Sequence, residues 1–199
     1  MFLNTLILNP AYFFAYILII IVSITVHELA HGFAAISQGD DTPGITGHIT
    51  LNPVIHMGWH SIIFLCIAGI AWGEMPVNPS KFRSKFGDVI VSAAGPLSNL
   101  ALAFLFIFLL KLTAVPFLSF IFNPDFFHMA ARINLILFLF NLLPIPPLDG
   151  YHVFREIFPE LRQLEYNQMG LFVLMVIFLI PGFGRFLGMI AEYIIVAIS

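Results

Sequence analysis

An apolar run from Pro10 to Ser37 has His27, Glu28 and His31 as its only acidic and basic residues, grouped as His27-Glu28-Leu29-Ala30-His31. The run exceeds the roughly 20 residues that a helix needs to cross a bilayer. On a helix, positions four apart share a face, so both imidazoles can offer a ring nitrogen to one metal ion. Glu28 lies beside them, placed to take a proton from a water held there. A carboxylate and two imidazoles are costly in hydrocarbon, which makes them a functional group rather than packing. The pattern predicts a hydrolytic zinc site inside a membrane-spanning helix, and such a helix needs neighbours to cover its polar face.

Composition agrees. The chain has 199 residues, 60% of them hydrophobic and 10% charged, where a soluble domain carries about 25% charged. Mean hydropathy is +0.99. The expected class is an all-α polytopic membrane protein forming a single transmembrane domain over 1–199. The net charge of −3 with no basic run excludes nucleic acid as a partner. Cys66, the sole cysteine, excludes an intrachain disulfide and reads as a small packed residue. No basic segment precedes the first apolar run and no small-residue cleavage site follows it, so that run is expected to be a mature span.

Span one is predicted over about Ala11–Ser37, ended by the Gly39-Asp40-Asp41-Thr42-Pro43-Gly44 turn cluster. Gly44–Leu51 alternates Ile45, Gly47, Ile49 and Leu51 against Thr46, His48 and Thr50, which predicts a small membrane-associated β element between spans one and two. Ser61–Trp72 is apolar but too short to cross, so a re-entrant or buried helix is expected there. Met75–Asn78, with Pro76 and Pro79 around it, reads as extended. Span two is predicted at about Asp88–Leu112, with a small-residue stretch at Ala93-Ala94-Gly95-Pro96 that permits close helix approach. A connection covers Thr113–Asp125. Span three covers Phe126–Leu143 and stops at Pro144-Ile145-Pro146-Pro147. Tyr151–Phe158 is expected to be a short helix or amphipathic turn. Gln168–Ile198 is broken at Pro181-Gly182, giving one kinked span or two half-length helices.

Lys81, Arg83 and Lys85 precede span two and Arg155 and Arg162 follow span three, against Lys111 and Arg132 around the intervening loop. That asymmetry places loops 38–85 and 144–167, and with them the His31 end of span one, on the cytoplasmic side of the membrane. The expected location is the cell membrane of a prokaryote.

Catalytic zinc takes three protein ligands and keeps one position open. Ser37 stands six positions past His31, so the extended three-histidine pattern is absent, and no Glu lies between Glu28 and Glu74. Asp149, aimed by the Pro-rich turn after span three on the same side as His31, is the natural third ligand.

His27–His31, Ala93-Ala94-Gly95-Pro96-Leu97-Ser98-Asn99 and Asn141-Leu142-Leu143-Pro144-Ile145-Pro146-Pro147-Leu148-Asp149-Gly150 together make the chain resemble the site-2 protease family of intramembrane zinc metalloproteases. Segments 47–53 and 76–83 look like the branch of that family without PDZ or CBS domains. The resemblance implies a core of three transmembrane helices within 11–155, one catalytic Zn²⁺ held by His27, His31 and Asp149, and Glu28 as general base. It implies Asn141 as a substrate or oxyanion contact, and 168–198 as an accessory span and candidate gate. One departure stands out: an Asp-Pro common after the LNP-x-x-H segment is missing, His56 being followed by Met57-Gly58-Trp59-His60.

The implied activity is regulated intramembrane proteolysis: hydrolysis of peptide bonds in or near transmembrane segments of client proteins, with the lipid bilayer as the other partner. A membrane zinc hydrolase of a lipid or small amide is the alternative within enzymes; a zinc-binding transporter or inactive homologue is the alternative outside them. Among the remaining polar residues, His48, His56 and His60 are either interfacial or, for His56 and His48, candidates for the water path or a resting fourth ligand. Asn99 and Asn134 are expected to make interhelical hydrogen bonds. Ser23 and Thr25 are expected to bond carbonyls of their own helix. A client strand is expected to add to Gly44–Leu51 or Met75–Asn78.

Overall fold

The structure, a computed structural model, describes residues 2–115, 117, 123–162 and 169–198. Residues 116 and 118–122 of the predicted connection Thr113–Asp125 fall outside them, as does Gln168. After a short α1 (Asn4–Leu8), α2 runs from Pro10 to Ser37. Its start is fixed locally: Pro10 sits in the first turn, and the Asn9 side chain accepts the Tyr12 N–H. At 28 residues α2 is about 42 Å long, more than the hydrocarbon thickness of about 30 Å. α5 (Gly87–Leu112) has 26 residues and carries Pro96 inside it, with Asp88 in its first turn and Lys111 in its last. α2 and α5 are the helices long and apolar enough to span a membrane among the described residues.

Between them lie α3 (Thr42–Ile45) and α4 (Pro53–Ala68), the latter bent at Gly58 (φ 65°, ψ 161°). Beyond α5 come α6 (Pro124–Asn141), α7 (Asp149–Phe154), α8 (Met169–Leu179) and α9 (Phe183–Ile198). α6 starts on a second Asn–Pro cap, the Asn123 side chain accepting from Asp125 N–H and Phe126 N–H. α8 and α9 are separate helices divided at Pro181-Gly182, where Gly182 has φ +94°. Of the two forms open for the C-terminal stretch, the structure takes the pair of shorter helices.

α6 is the centre of the packing. On one side Ala130 and Ile133 join Ile19, Ile20 and Ile24 of α2 and Met57 and Leu65 of α4. On the other, Ala131 and Leu135 join Ala103 and Ile107 of α5 and Ala191 and Ile195 of α9. The outward faces are equally apolar. Leu18 and Val22 of α2, Trp59, Ile63 and Phe64 of α4, and Phe104, Leu105 and Phe108 of α5 are all exposed. A continuous exposed surface of that kind suits hydrocarbon, not water.

The predicted β element is not formed. Residues 42–45 make a helical turn and 46–51 turns and bends, and no strand occurs among the described residues. Asp40 is the local cause: its Oδ1 accepts the Thr42 N–H at 3.0 Å, which starts a turn, and Pro43 continues it. Ile45 and Leu51, on the apolar side of that alternation, are 74% and 75% exposed. In a membrane protein an apolar residue need not face the core, so alternation loses its meaning. Ser61–Trp72 is helical only to Ala68, and one face of that helix is exposed rather than covered.

Residues 70–78 carry no helix or turn. They are pinned along their length. Ser61 Oγ–H donates to Trp72 O (2.7 Å) and accepts Trp72 N–H (2.9 Å). Glu74 N–H donates to His56 O at 2.8 Å. Asn78 N–H donates to Asp40 Oδ2 at 2.6 Å.

Candidate metal centre

The HELAH helix turn faces α5. His27 and His31 lie four positions apart on α2, and on α5 three residues also four apart oppose them: Val91, Gly95 and Asn99. Val91 O is an acceptor only, so the 2.7 Å contact with His31 Nδ1 is an Nδ1–H donating to it. Asn99 Nδ2 donates to Asn134 Oδ1 (3.1 Å) and Ser23 O (3.3 Å), which leaves Asn99 Oδ1 to accept His27 Nδ1–H at 2.7 Å. Asn134 Nδ2 donates in turn to Ala130 O at 2.9 Å. The buried chain thus runs from α6 through α5 to α2, and each link fixes the next.

With both Nδ1–H groups committed, both Nε2 atoms of neutral rings present lone pairs. They lie 3.0 Å apart. Asp149 Oδ2 is 3.1 Å from His27 Nε2, and Asp149 Oδ1 is 3.3 Å from His31 Nε2. Three acceptors this close repel one another unless a cation lies among them. The separations are near the edge of about 3.3 Å that a tetrahedron with Zn–N bonds of about 2.0–2.1 Å requires. Gly95 supplies the second observation: a Cβ built there would fall 2.5 Å from His27 Nε2 and overlap His31 Nε2. The helix is bare where an ion would sit. The residues fit zinc.

Asp149 opens α7, directly after the turn that ends α6. α7 is tied to α5 by Arg155 Nη2, which donates to Asp88 Oδ2 at 2.7 Å; His152 Nδ1 lies 3.6 Å from the same oxygen. This tether aims Asp149 at the histidines. Glu28 is buried on the cavity side, and the chain crosses it at Gly73, where a Cβ would lie 2.5 Å from Glu28 Oε1. Only a glycine lets segment 70–78 pass so near the carboxylate.

These groups share a cavity of about 460 Å³, walled by α2, α5, the end of α6, α7 and residues 71–77. Asn141 lines it, with one amide N–H given to Leu137 O at 3.0 Å in its own helix. His48, His56 and His60 do not line it. His56 is buried with Nε2–H on Thr50 O (2.7 Å), and His48 Nδ1 contacts Thr46 Oγ1 at 3.0 Å. Ser23 Oγ and Thr25 Oγ1 are buried without a partner among the described residues, in place of the expected bonds to their own helix.

Asp40 anchors the cavity wall. Its side chain is fully buried, with Lys81 Nζ at 3.8 Å from Oδ1. Burial alone would raise its pKa, but hydrogen bonds from Thr42 and Asn78 and the Lys81 charge outweigh it and hold the carboxyl below the usual carboxylate range.

Sequence reading missed the parts played by Val91, Asp88, Arg155 and the Asp40–Asn78 link, and saw Gly95 only as a place of close helix approach and Asn99 only as a helix–helix contact. The four-residue spacing of Val91, Gly95 and Asn99 within the small-residue stretch was the available signal.

Two imidazoles, a carboxylate and a neighbouring acid, set among apolar helices, define a metal-dependent hydrolase of the membrane. Residues 15–123 and 119–181 match the model of peptidase family M50. The chain belongs to that family, the site-2 proteases, and is a zinc-dependent metalloprotease. It is 39% identical over 175 residues to YwhC of Bacillus subtilis (strain 168), whose name makes it a candidate zinc metalloprotease, covering 83% of this chain and 80% of that one. It is 32% identical over 181 residues to Rip2 of Mycobacterium tuberculosis (strain H37Rv), named likewise, covering 85% and 69%. No solved structure gives a significant match.

Proposed function

We propose that the protein is an endopeptidase that hydrolyses peptide bonds within or next to transmembrane segments of client proteins, with His27, His31 and Asp149 holding zinc. The observation that carries this reading is the convergence of His27 Nε2, His31 Nε2 and the Asp149 carboxylate, with bare Gly95 against both imidazoles, beside Glu28 and one wall of extended chain. Zinc, when bound, supplies a Lewis acid and a water acidified toward neutrality. Glu28, buried on the cavity side, would take a proton from the attacking water on a carboxylate oxygen and return it to the departing amide nitrogen. Asn141 directs its second amide N–H at the carbonyl oxygen under attack.

A helical client hides its carbonyls, so it must unwind to be cut. Segment 70–78 suits the unwound chain. Trp72, Glu74 and Asn78 give their N–H groups to Ser61, His56 and Asp40, so in an extended chain the alternate residues Gly73, Met75 and Val77 turn theirs to the other edge. That edge borders the cavity and offers a template for strand addition. α2, α5 and α6 form the three-helix transmembrane core. The basic residues put the Ser37 end of α2 and the catalytic cavity toward the cytoplasm of a prokaryotic cell, in its cell membrane. Regulated proteolysis of membrane-bound clients is the physiological role this implies.

The test is cleavage of a panel of single-span membrane peptides by purified protein, wild type beside Glu28→Gln, with zinc measured in both. Loss of cleavage by about 10²–10⁴-fold with zinc retained is expected. Equal cleavage by both proteins, or cleavage of lipid amides in place of peptides, overturns the reading.

A further inference from the structure

A second hollow adjoins the catalytic cavity. A groove of about 760 Å³ runs between α2, α6 and the start of α9, and Ile24, Ala71, Leu137 and Phe140 line both spaces. Most of its wall is apolar, including Ile20, Ile133, Ile136 and Leu187. Its far end is not. There His128 Nε2 meets Glu192 Oε1 at 2.9 Å, and Arg132 Nε approaches Glu192 Oε2 at 3.8 Å. All three side chains line the groove and are about two-fifths exposed: 39% for His128, 46% for Arg132 and 44% for Glu192.

An arginine at that depth is expensive and calls for an explanation. Helix packing does not supply one: the 3.8 Å approach to Glu192 engages a single nitrogen of a five-donor fork, and Glu192 makes its close contact with His128 instead. α9 nevertheless makes room for the guanidinium. At Gly188 a Cβ would stand 2.5 Å from Arg132 Nη2. The geometry is that of a donor held in place over an apolar trough.

We infer that the groove seats the still-helical part of the client's transmembrane segment, and that Arg132, backed by Glu192 and His128, reads one acceptor side chain on it (Asn, Gln, Asp or Glu). This rests on the intramembrane-protease reading and names what that site selects. Two observations favour a client over a lipid. The groove adjoins the catalytic cavity and shares Ile24, Ala71, Leu137 and Phe140 with it, so a client lying along the groove has its scissile bond a few residues further on. The polar end also lies at a fixed offset from the chemistry. Arg132 precedes Asn141 by nine positions on α6, about 13 Å of helix. A client spans that distance with about four residues if extended and about nine if helical. The preferred acceptor therefore lies between those limits from the cleaved bond, flanked by apolar residues.

The test uses full-length protein carrying Glu28→Gln in phosphatidylcholine–phosphatidylglycerol nanodiscs. The probes are single-span peptides with one Asn walked along a leucine background and a photo-crosslinking residue beside it. Crosslinks are mapped by mass spectrometry, so the readout does not need turnover. An Asn inside the window is expected to raise crosslinking to Ile136 and Leu187 about tenfold over the all-leucine peptide. Arg132→Leu should abolish the preference and Arg132→Lys keep part of it, with zinc content unchanged in both. Crosslinks confined to the catalytic cavity, groove crosslinks indifferent to the Asn or to Arg132, or a groove that takes a photoactivatable phospholipid and is not cleared by peptide would each overturn the proposal. If groove crosslinks follow the Asn while the zinc-loaded wild type cuts none of the peptides, the protease reading fails and the groove assignment stands.

Discussion

Replacing Asn99 with alanine tests whether the buried amide chain sets up the metal site or only glues helices. In the wild type, Asn99 Oδ1 accepts His27 Nδ1–H at 2.7 Å, which selects the tautomer with its lone pair on Nε2. Alanine removes that acceptor and leaves His27 Nδ1–H and Asn134 Oδ1 without their partner. Loss of such an outer partner weakens zinc binding about 10–100-fold, or about 1.4–2.8 kcal/mol. Each buried group left unpaired costs about 1–3 kcal/mol of stability, so the protein should also lose about 2–6 kcal/mol, toward the low end if water enters the space. Asn99→Asp separates the two effects. It keeps an acceptor for His27 and strengthens it, but gives up the donor to Asn134 Oδ1 and Ser23 O. Zinc affinity, read by competition with a graded series of chelators, should fall for alanine and hold for aspartate, while the melting temperature falls for both. If alanine lowers the melting temperature and leaves zinc affinity at the wild-type value, Asn99 is helix glue and the reasoning is wrong.

Gly95→Ala should give a folded protein with little or no zinc, because the methyl group occupies the space among the three acceptors; metal analysis beside a circular dichroism spectrum checks it, and full zinc occupancy would refute it. Ser61→Ala should free Trp72 N–H and O and loosen residues 70–75, seen as about tenfold faster amide exchange there and a higher KM with kcat less affected. Acid should release the Asp40 anchor. Its folded pKa is lowered from 3.8, so its contribution is complete above that value and is lost as pH falls through the lower folded one. Exchange of the Thr42 and Asn78 amides should accelerate only below about pH 4, and Asp40→Asn should remove that acid step.

The convergence of His27, His31 and Asp149 was legible because its information is local. Two histidines four apart declare a helix face, and a carboxylate after a Pro-rich stop declares an aimed turn. The three long helices were legible for the same reason, since apolar length and Asn–Pro caps are read within a few residues. What escaped was carried across the chain. Asn99 acts on a histidine 72 positions away and Asp40 on an amide 38 away. Only the four-residue spacing of Val91, Gly95 and Asn99 distinguishes Asn99 from any other asparagine packed between helices. The β element failed for a different reason. Alternation marks a strand only where one face is buried and the other wet, and at the edge of a bilayer Ile45 and Leu51 have no such choice to make.

Depth explains why the site can work at all. His31 lies six residues, about 9 Å, from the Ser37 end of α2, and His27 about 15 Å. The cluster therefore lies in the Ser37 half of the helix, between that end and the middle. At that end the cavity wall includes Asp88, Glu74 and His152, groups that hold water. Toward the Pro10 end the groove begins at Ile24 and Leu137, which line both spaces, and its wall is mostly apolar until Arg132. A hydrolase in hydrocarbon must bring together a polar reagent and an apolar substrate without letting either fill the other's route. On the proposed reading the two routes would meet in the cavity that Glu28 lines, with the change in wall chemistry at Ile24 and Leu137. Mixing the walls should uncouple the reaction in a directed way. A charge introduced at Leu137 would admit water to the client's side and lower cleavage of long apolar segments, while short peptides that reach the site from the Ser37 end would be spared.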